Sequence, residues 1–282
     1  MTDNPTATLS KQYLVIRELI KEKTGIYIRD TRSDYLEYRV EERMDANSIE
    51  DIEEYYYFLK YSPSNSGEFQ ALINLVTVQE TSFFRNSDQL ESFKNVILKN
   101  IIDKKTEEGS NNLKIWSAAS STGEEPITLS MIINEALTYF FNWNVEILAT
   151  DISTRALDLA KKGEYPEHRF KTMSPLIRTK FFSKVLDGYK ANEMAMAPIN
   201  YRHLNLSGDL NGFNGDKVYD VIFCRNVFIY FTDDVKEKIA NHFYKILRPG
   251  GYLLLGNAES IDIRKVPFKM AFLPGGMVYQ KP

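Results

Sequence analysis

From Leu113 onward the chain alternates short apolar runs with amphipathic stretches, and this rhythm restricts the fold more than any other feature. LKIWSA, VEILATDI, YDVIFCRN and GGYLLLGNAE read as strands, while EPITLSMIINEALTYF, TRALDLAKKG and DDVKEKIANHFYKIL fall between them as helices. Continuous apolar runs suit strands buried on both faces, and strand–helix alternation makes a parallel sheet with crossovers. The pattern therefore predicts a doubly wound α/β domain. Its end departs from the rhythm: VPFKMAFLPGGMVYQ reads as two strands around Pro274-Gly275-Gly276, an antiparallel hairpin. Residues 164–203 also depart, with a short helix at SPLIRTKFFSKVL and an extended MAPINYRHLNL, so they read as a small insertion with strands of its own.

The first part of the chain is different. Residues 9–105 read as mostly helical. LSKQYLVIRELIKEKTG places Tyr13, Ile16, Leu19 and Ile20 on one face, with Gly25 as a C-cap. SDYLEYRVEERM sets Leu36, Val40 and Met44 at i, i+4, i+8. Ser48-Ile-Glu-Asp51 resembles a capping box that opens a third helix. A turn at 62–69 precedes a fourth helix, FQALINLVT, and SDQLESFKNVILKNIIDKK is a fifth. The chain thus divides into a helical N-terminal domain, 1–88, and an α/β domain, 89–282.

Composition excludes several classes. Among 282 residues there is one cysteine, Cys224, and the three histidines lack metal-ligand spacing, so neither a disulfide framework nor a metal site is expected. A net charge of −3 argues against nucleic acid as a partner. No apolar run approaches the ~20 residues that span a bilayer. MTDNPTATLSK lacks the regions of a signal peptide, and the cytoplasm is the expected compartment.

Ligands of open α/β sheets bind beyond the carboxyl ends of the strands. Here those ends carry SAASSTGEE, Ala149-Thr150-Asp151, His203-Leu204-Asn205-Leu206 and Cys224-Arg225-Asn226. A turn such as KIWSAASSTGEEP usually cradles phosphate, because helix N-terminal N–H groups favour anions. This one has a single glycine, and Glu124 and Glu125 stand where a pyrophosphate would lie, which disfavours a dinucleotide. A cationic, ribose-bearing ligand such as S-adenosylmethionine suits it. Glutamates that merely complement the helix dipole suit it as well. Asp151 at the second strand end can accept hydrogen bonds from both ribose hydroxyls, or can cap the next helix. No Ser/His/Asp arrangement is present, and Cys224 in VIFC reads as a buried structural thiol. Methyl transfer to a carboxylate needs no such nucleophile–base pair.

Together these stretches resemble the CheR family of chemotaxis receptor methyltransferases. LVTVQETSFFR (75–85) is similar to that family's Thr-Thr-Asn-Glu-Thr-x-Phe-Phe-Arg segment. WSAASSTGEEP, ILATDIS, IFCRNVFIYF (222–231) and LRPGGYLLLGNAES (247–260) follow in the family's order. The resemblance implies a class I S-adenosylmethionine-dependent methyltransferase fold, Rossmann-like, with a C-terminal hairpin, a small β insertion and an all-α N-terminal domain for receptor docking. It implies S-adenosylmethionine as donor, S-adenosylhomocysteine as product, and glutamates on chemoreceptor cytoplasmic helices as acceptors. It places Arg85 and Glu125 at the methionine end, Asp151 at the ribose, and Asn205 and Leu206 at the adenine. Gln79, Thr81, Arg225 and Asn226 line the cofactor pocket in the same comparison. Arg85 and Tyr230 lie near the transferred methyl as the catalytic pair, although Tyr230 between apolar neighbours also reads as a core aromatic. A monomer is expected, without direct membrane insertion.

The chain departs from the family pattern at four places. Gln79 replaces an asparagine, and Asn257-Ala258 stands where relatives have His-Ser. LDGYKAN lacks a clear Gly-x-Gly loop for gripping a receptor tether. Residues 1–88 hold 10 Lys/Arg against 16 Asp/Glu, a net of −6, where relatives present a basic face. Arg29, Arg32, Arg39 and Arg43 form either a local basic patch or a helix laced with pairs to Asp34, Glu41 and Glu42. A different acceptor and a non-catalytic cofactor-binding scaffold are the two rival readings.

Overall fold

The computed structural model describes residues 11–61, 67–137, 142–210 and 218–282. The turn expected at 62–69 and the end of the helix expected through Phe140 fall partly outside them.

Four helices open the fold: α1 (Leu14–Thr24), α2 (Ser33–Ala46), α3 (Ile52–Tyr61) and α4 (Glu68–Val76). Their apolar stripes meet in one core of Ile16, Ile20, Leu36, Val40, Tyr55 and Leu72, each fully buried. The i, i+4, i+8 spacing of Leu36, Val40 and Met44 accounts for the face α2 buries. Gly25 ends α1 in the left-handed region (φ 72°), as a C-cap requires. The capping box differs from expectation. Ser48 is itself left-handed (φ 57°), and the Asp51 carboxylate accepts the Glu54 N–H at 2.8 Å, so Asp51 caps α3.

The fifth expected helix is continuous but irregular. It runs as α5 (Ser87–Ser92), a π-helical turn over Phe93–Ile97, and α6 (Leu98–Glu107). The α/β part then begins with β1 (Asn112–Ala118), α7 (Glu124–Ala136), β2 (Asn144–Asp151) and α8 (Thr154–Lys162). The insertion follows as β3 (Glu164–Pro166), α9 (Pro175–Phe181), β4 (Phe182–Val185), β5 (Gly188–Ala191) and α10 (Glu193–Met196). The chain closes with β6 (Ile199–His203), β7 (Tyr219–Cys224), α11 (Asp233–Ile246), β8 (Leu247–Leu255), β9 (Lys269–Leu273) and β10 (Gly276–Gln280).

Seven strands form one sheet in the order β6-β2-β1-β7-β8-β10-β9. The five strands from β6 to β8 are parallel, and β10 and β9 add antiparallel as the expected hairpin. Strand order reverses between β1 and β7, the switch point at which such sheets open a crevice. Trp116, Ile222 and Leu253 bury one sheet face, and Ile115, Phe223 and Leu254 bury the other.

The insertion is a three-stranded antiparallel sheet, β3-β5-β4. It ends earlier than the expected residue 203, because Ile199–His203 pairs with β2 in the main sheet. β6 is an edge strand with little buried surface, so its sequence (INYRH) carries no continuous apolar run.

Candidate active site

The turn from β1 into α7 sets the site. Ala119, Ser121 and Gly123 all have positive φ (61°, 50° and 95°), which folds the chain back over the strand ends. Only Gly123 lacks a side chain, and a Cβ there would lie 2.8 Å from that of Ala160 and 2.9 Å from the Tyr165 hydroxyl. Glu124 and Glu125 are the first two residues of α7 and diverge completely. Glu125 Oε1 accepts the Ser117 hydroxyl at 2.7 Å, and its Oε2 lies 3.2 Å from Arg225 Nη1. Burial pushes the Glu125 carboxyl above its ordinary value, and Arg225 pulls the other way. Burial likewise lowers the Arg225 guanidinium. Glu124 is fully buried on the opposite side, accepting the Thr122 hydroxyl at 2.6 Å and pairing with Arg169 at 3.2 Å.

Asp151 ends β2, the strand beside that turn. Its Oδ2 accepts the Ser121 N–H and its Oδ1 the Ser153 N–H, both at 2.8 Å. Burial raises its pKa, and the two N–H groups oppose the rise. Ser153, not Asp151, is the side-chain cap of α8, accepting the Ala156 N–H. Gln79 reaches the same turn from the other wall: its carbonyl accepts the Ser121 hydroxyl at 2.7 Å. The Arg85 guanidinium donates to the Glu80 carbonyl at 2.8 Å, and Arg225 donates to the Arg85 carbonyl. Asn205 follows β6. Its amide donates to the Lys23 carbonyl at 2.7 Å and accepts from Ser207, so its side chain ties the end of α1 to the sheet.

The far wall comes from two loops. The Asn226 backbone is left-handed (φ 61°). Glu259 holds this loop by accepting the N–H groups of Asn226 (2.7 Å), Gly256 (2.7 Å) and Ile229 (3.2 Å). Tyr230 closes a 3-10 turn, Phe228–Tyr230, and its carbonyl accepts the Tyr27 N–H at 2.8 Å. The loop after α1 thereby becomes part of the cavity wall, with Tyr27, Arg29 and Arg32 lining it. Tyr230 is half-buried; burial raises its pKa, and Arg32 and Arg85 are among the charges facing it.

Gln79, Thr81, Arg85, Glu125, Asp151, Asn205, Leu206, Arg225, Asn226 and Tyr230 all line this single cavity of about 390 Å³. Tyr230 therefore stands at its wall, not in the apolar core. Glu259, Arg169, Ser121 and the 24–32 loop are absent from the sequence-derived set. Glu259 lies within a motif stretch, but nothing in the sequence shows that it binds three amides. Arg169 carries no motif signal.

The donor set can be matched to a ligand. Two carboxylates, partly buried Glu125 and buried Asp151, face a cavity that also exposes Arg85 and apolar Leu206 and Ile26. The buried Ser120 hydroxyl in its floor has no hydrogen-bond partner among the described residues. Such walls suit a molecule with an ammonium, vicinal hydroxyls, a carboxylate and a flat heterocycle, the functional groups of S-adenosylmethionine. Sheet order, switch-point cavity and acidic turn define a class I S-adenosylmethionine-dependent methyltransferase.

Two family models match the chain. Residues 79–276 match the CheR methyltransferase, SAM binding domain, and residues 11–77 match the CheR methyltransferase, all-alpha domain. The chain belongs to the CheR methyltransferase family. It is 31% identical over 246 residues to the chemotaxis protein methyltransferase of Borreliella burgdorferi, covering 86% of each chain. It is 35% identical over 214 residues to chemotaxis protein methyltransferase 1 of Vibrio cholerae, covering 74% of this chain and 75% of that one. It is 30% identical over 259 residues to the Escherichia coli chemotaxis protein methyltransferase, covering 88% and 83%. S-adenosylmethionine is the cofactor, and the chain is a methyltransferase.

Proposed function

We propose that the enzyme transfers the methyl group of S-adenosylmethionine to glutamate side chains on chemoreceptor cytoplasmic helices. The observation that carries this reading is the layout of the cavity: Glu125 and Asp151 at one wall, and at another Tyr230 faced by Arg32 and Arg85, with Glu80 beside them. The donor supplies an electrophilic methyl on a cationic sulfur and leaves as S-adenosylhomocysteine. Asp151, already fixed by two amides, keeps lone pairs free for the ribose hydroxyls. Glu125 receives the ammonium while Ser117 and Arg225 hold it in place. The Asn205 and Leu206 backbone edges the adenine, because the Asn205 amide is engaged elsewhere. Gln79, Thr81, Arg225 and Asn226 shape the remaining walls.

Arg85 and Tyr230 orient the incoming carboxylate. A guanidinium matches a carboxylate in charge and in planar geometry. The acceptor needs no general base, since a free glutamate ionises near pH ~4.3. The chain's work is alignment of acceptor oxygen, methyl and leaving sulfur.

Residues 1–88 act as the docking unit and 89–282 as the transferase unit, with the 24–32 loop shared between them. The protein works as a cytoplasmic monomer on this reading. Arg43 is committed to Glu68 and Arg39 to Glu42, so docking rests on other cations of the N-terminal unit. The test is transfer of labelled methyl from S-adenosylmethionine onto receptor cytoplasmic domains by the full chain. Base-labile label on the receptor is the expected result. Label on another protein of the same cell, with none on any receptor, refutes the acceptor assignment and leaves the cofactor assignment standing.

A further inference from the structure

Gln79, Thr81 and Arg85 belong to a segment, 77–86, that has neither helix nor strand. Its position must come from side chains that grip it. Phe83 is one grip: it is buried in an aromatic cluster of the insertion, with ring centroids 5.0 Å from Tyr165, 5.2 Å from Phe170 and 5.4 Å from Phe182. Arg169 is another. It stands on the 3-10 turn Glu167–Phe170 that follows β3, and its Nη1 donates to the Thr81 carbonyl at 2.7 Å. The same nitrogen lies 3.2 Å from Oε1 of Glu124, the fully buried residue that starts α7.

We propose that Arg169 is a positioning residue for cofactor binding, tying the insertion, the 77–86 segment and the start of α7 together at one guanidinium. Three chain segments distant in sequence meet there, and each is joined to the cavity. Thr81 lines it, Arg169 follows Tyr165 whose hydroxyl donates to the Thr122 carbonyl at 2.8 Å, and Glu124 adjoins Glu125. The bond from the guanidinium to the Thr81 carbonyl is charge-assisted, the stronger kind, and the same group pairs electrostatically with the Glu124 carboxylate. Without it the segment bearing Gln79 and Arg85 loses its polar tie to the insertion, keeping those from Ser121 and Arg225, and the buried Glu124 carboxylate loses its charged partner. Burial already pushes the Glu124 carboxyl above its ordinary value.

The proposal rests on the cavity binding S-adenosylmethionine, and the experiment separates the two. The wild-type chain, Arg169→Gln, Arg169→Lys and Glu124→Gln are titrated with S-adenosylhomocysteine by calorimetry, well below each variant's melting temperature. Arg169→Gln is expected to raise Kd about tenfold or more, the scale of one lost charge-assisted bond. Arg169→Lys, with donors on a single nitrogen, is expected between the two. In methyl transfer, Arg169→Gln should raise KM for S-adenosylmethionine more than it lowers kcat. A lowered melting temperature with Kd within about twofold of wild type marks a merely structural residue and overturns the proposal. If Arg169→Gln does not fold, Glu124→Gln is read by the same criterion. A wild type that binds no S-adenosylhomocysteine refutes the site itself, whereas a binding wild type matched by its variants refutes only the role of Arg169.

Discussion

Asp151→Asn probes the cavity at the atom where geometry and charge act together. The carboxylate accepts one backbone N–H on each oxygen, from Ser121 and Ser153 at 2.8 Å. Asparagine keeps one acceptor oxygen and turns an NH2 toward the other N–H. A hydrogen bond to a charged group contributes ~1.5–3 kcal/mol, so removing the ionised acceptor should weaken S-adenosylhomocysteine about ten- to hundredfold. Calorimetry against an analogue without ribose 2′- and 3′-hydroxyls separates direct from indirect effects. The variant should lose little further affinity for that analogue. Equal losses for both ligands mean that Asp151 acts only through the turn, and no loss for either refutes the assignment. The pH dependence follows from burial, which raises the pKa of Asp151 and of Glu125. Cofactor binding favours both as carboxylates. Affinity should therefore fall as pH drops through these raised values, starting above the ordinary carboxylate range of ~4. Asp151→Asn should flatten part of that fall. In the free protein the sign is opposite: folding disfavours the ionised form, so stability from this group is greatest at acid pH and lost as pH rises through the raised pKa.

Tyr230→Phe should leave S-adenosylhomocysteine affinity and melting temperature nearly unchanged and lower kcat; global unfolding would return Tyr230 to the core. Arg43→Met should cost about 3 kcal/mol in urea denaturation, the low end for removing the charged partner of a buried carboxylate, because Arg43 is 24% exposed and Glu68 keeps the Tyr55 hydroxyl. A loss below about 1 kcal/mol would class the pair with surface ion pairs. Burial alone would raise the Glu68 carboxyl, but hydrogen bonds from Arg43 and Tyr55 outweigh it and hold it below its ordinary value. Its stabilisation is thus present at neutral pH and lost as pH falls, so the gap between wild type and Glu68→Gln should close on acidification. Gly123→Ala places a side chain at φ 95° and against Ala160. It should cost roughly 1–3 kcal/mol of stability and weaken the cofactor, as a denaturation series and calorimetry would register.

Much of this was legible in the sequence where a single physical rule dominated. β1, β2, β7 and β8 are buried on both faces, and their apolar runs announce them. The polar residues at their ends fall around one cavity because a parallel sheet aims its carboxyl ends at one edge. β6 reads as part of the insertion because an edge strand buries little and has no apolar run. Ser48 resembled a cap by spacing, but its left-handed backbone hands that role to Asp51. The wall formed by Tyr27, Arg29 and Arg32 was invisible, since it depends on a backbone bond from Tyr27 to Tyr230, far apart in sequence. Arg169 was invisible for the same reason: its partners are a carbonyl and a carboxylate on two other segments.

The central claim is that one cavity binds S-adenosylmethionine and delivers its methyl to a receptor carboxylate. Mass-spectrometric mapping of a receptor cytoplasmic domain after incubation with the full chain and S-adenosylmethionine tests it most directly. The account requires methyl esters on glutamates, removed by mild base, and strongly reduced with Tyr230→Phe. Methylation confined to nitrogen, or esters formed equally well by Tyr230→Phe and Asp151→Asn, would contradict it.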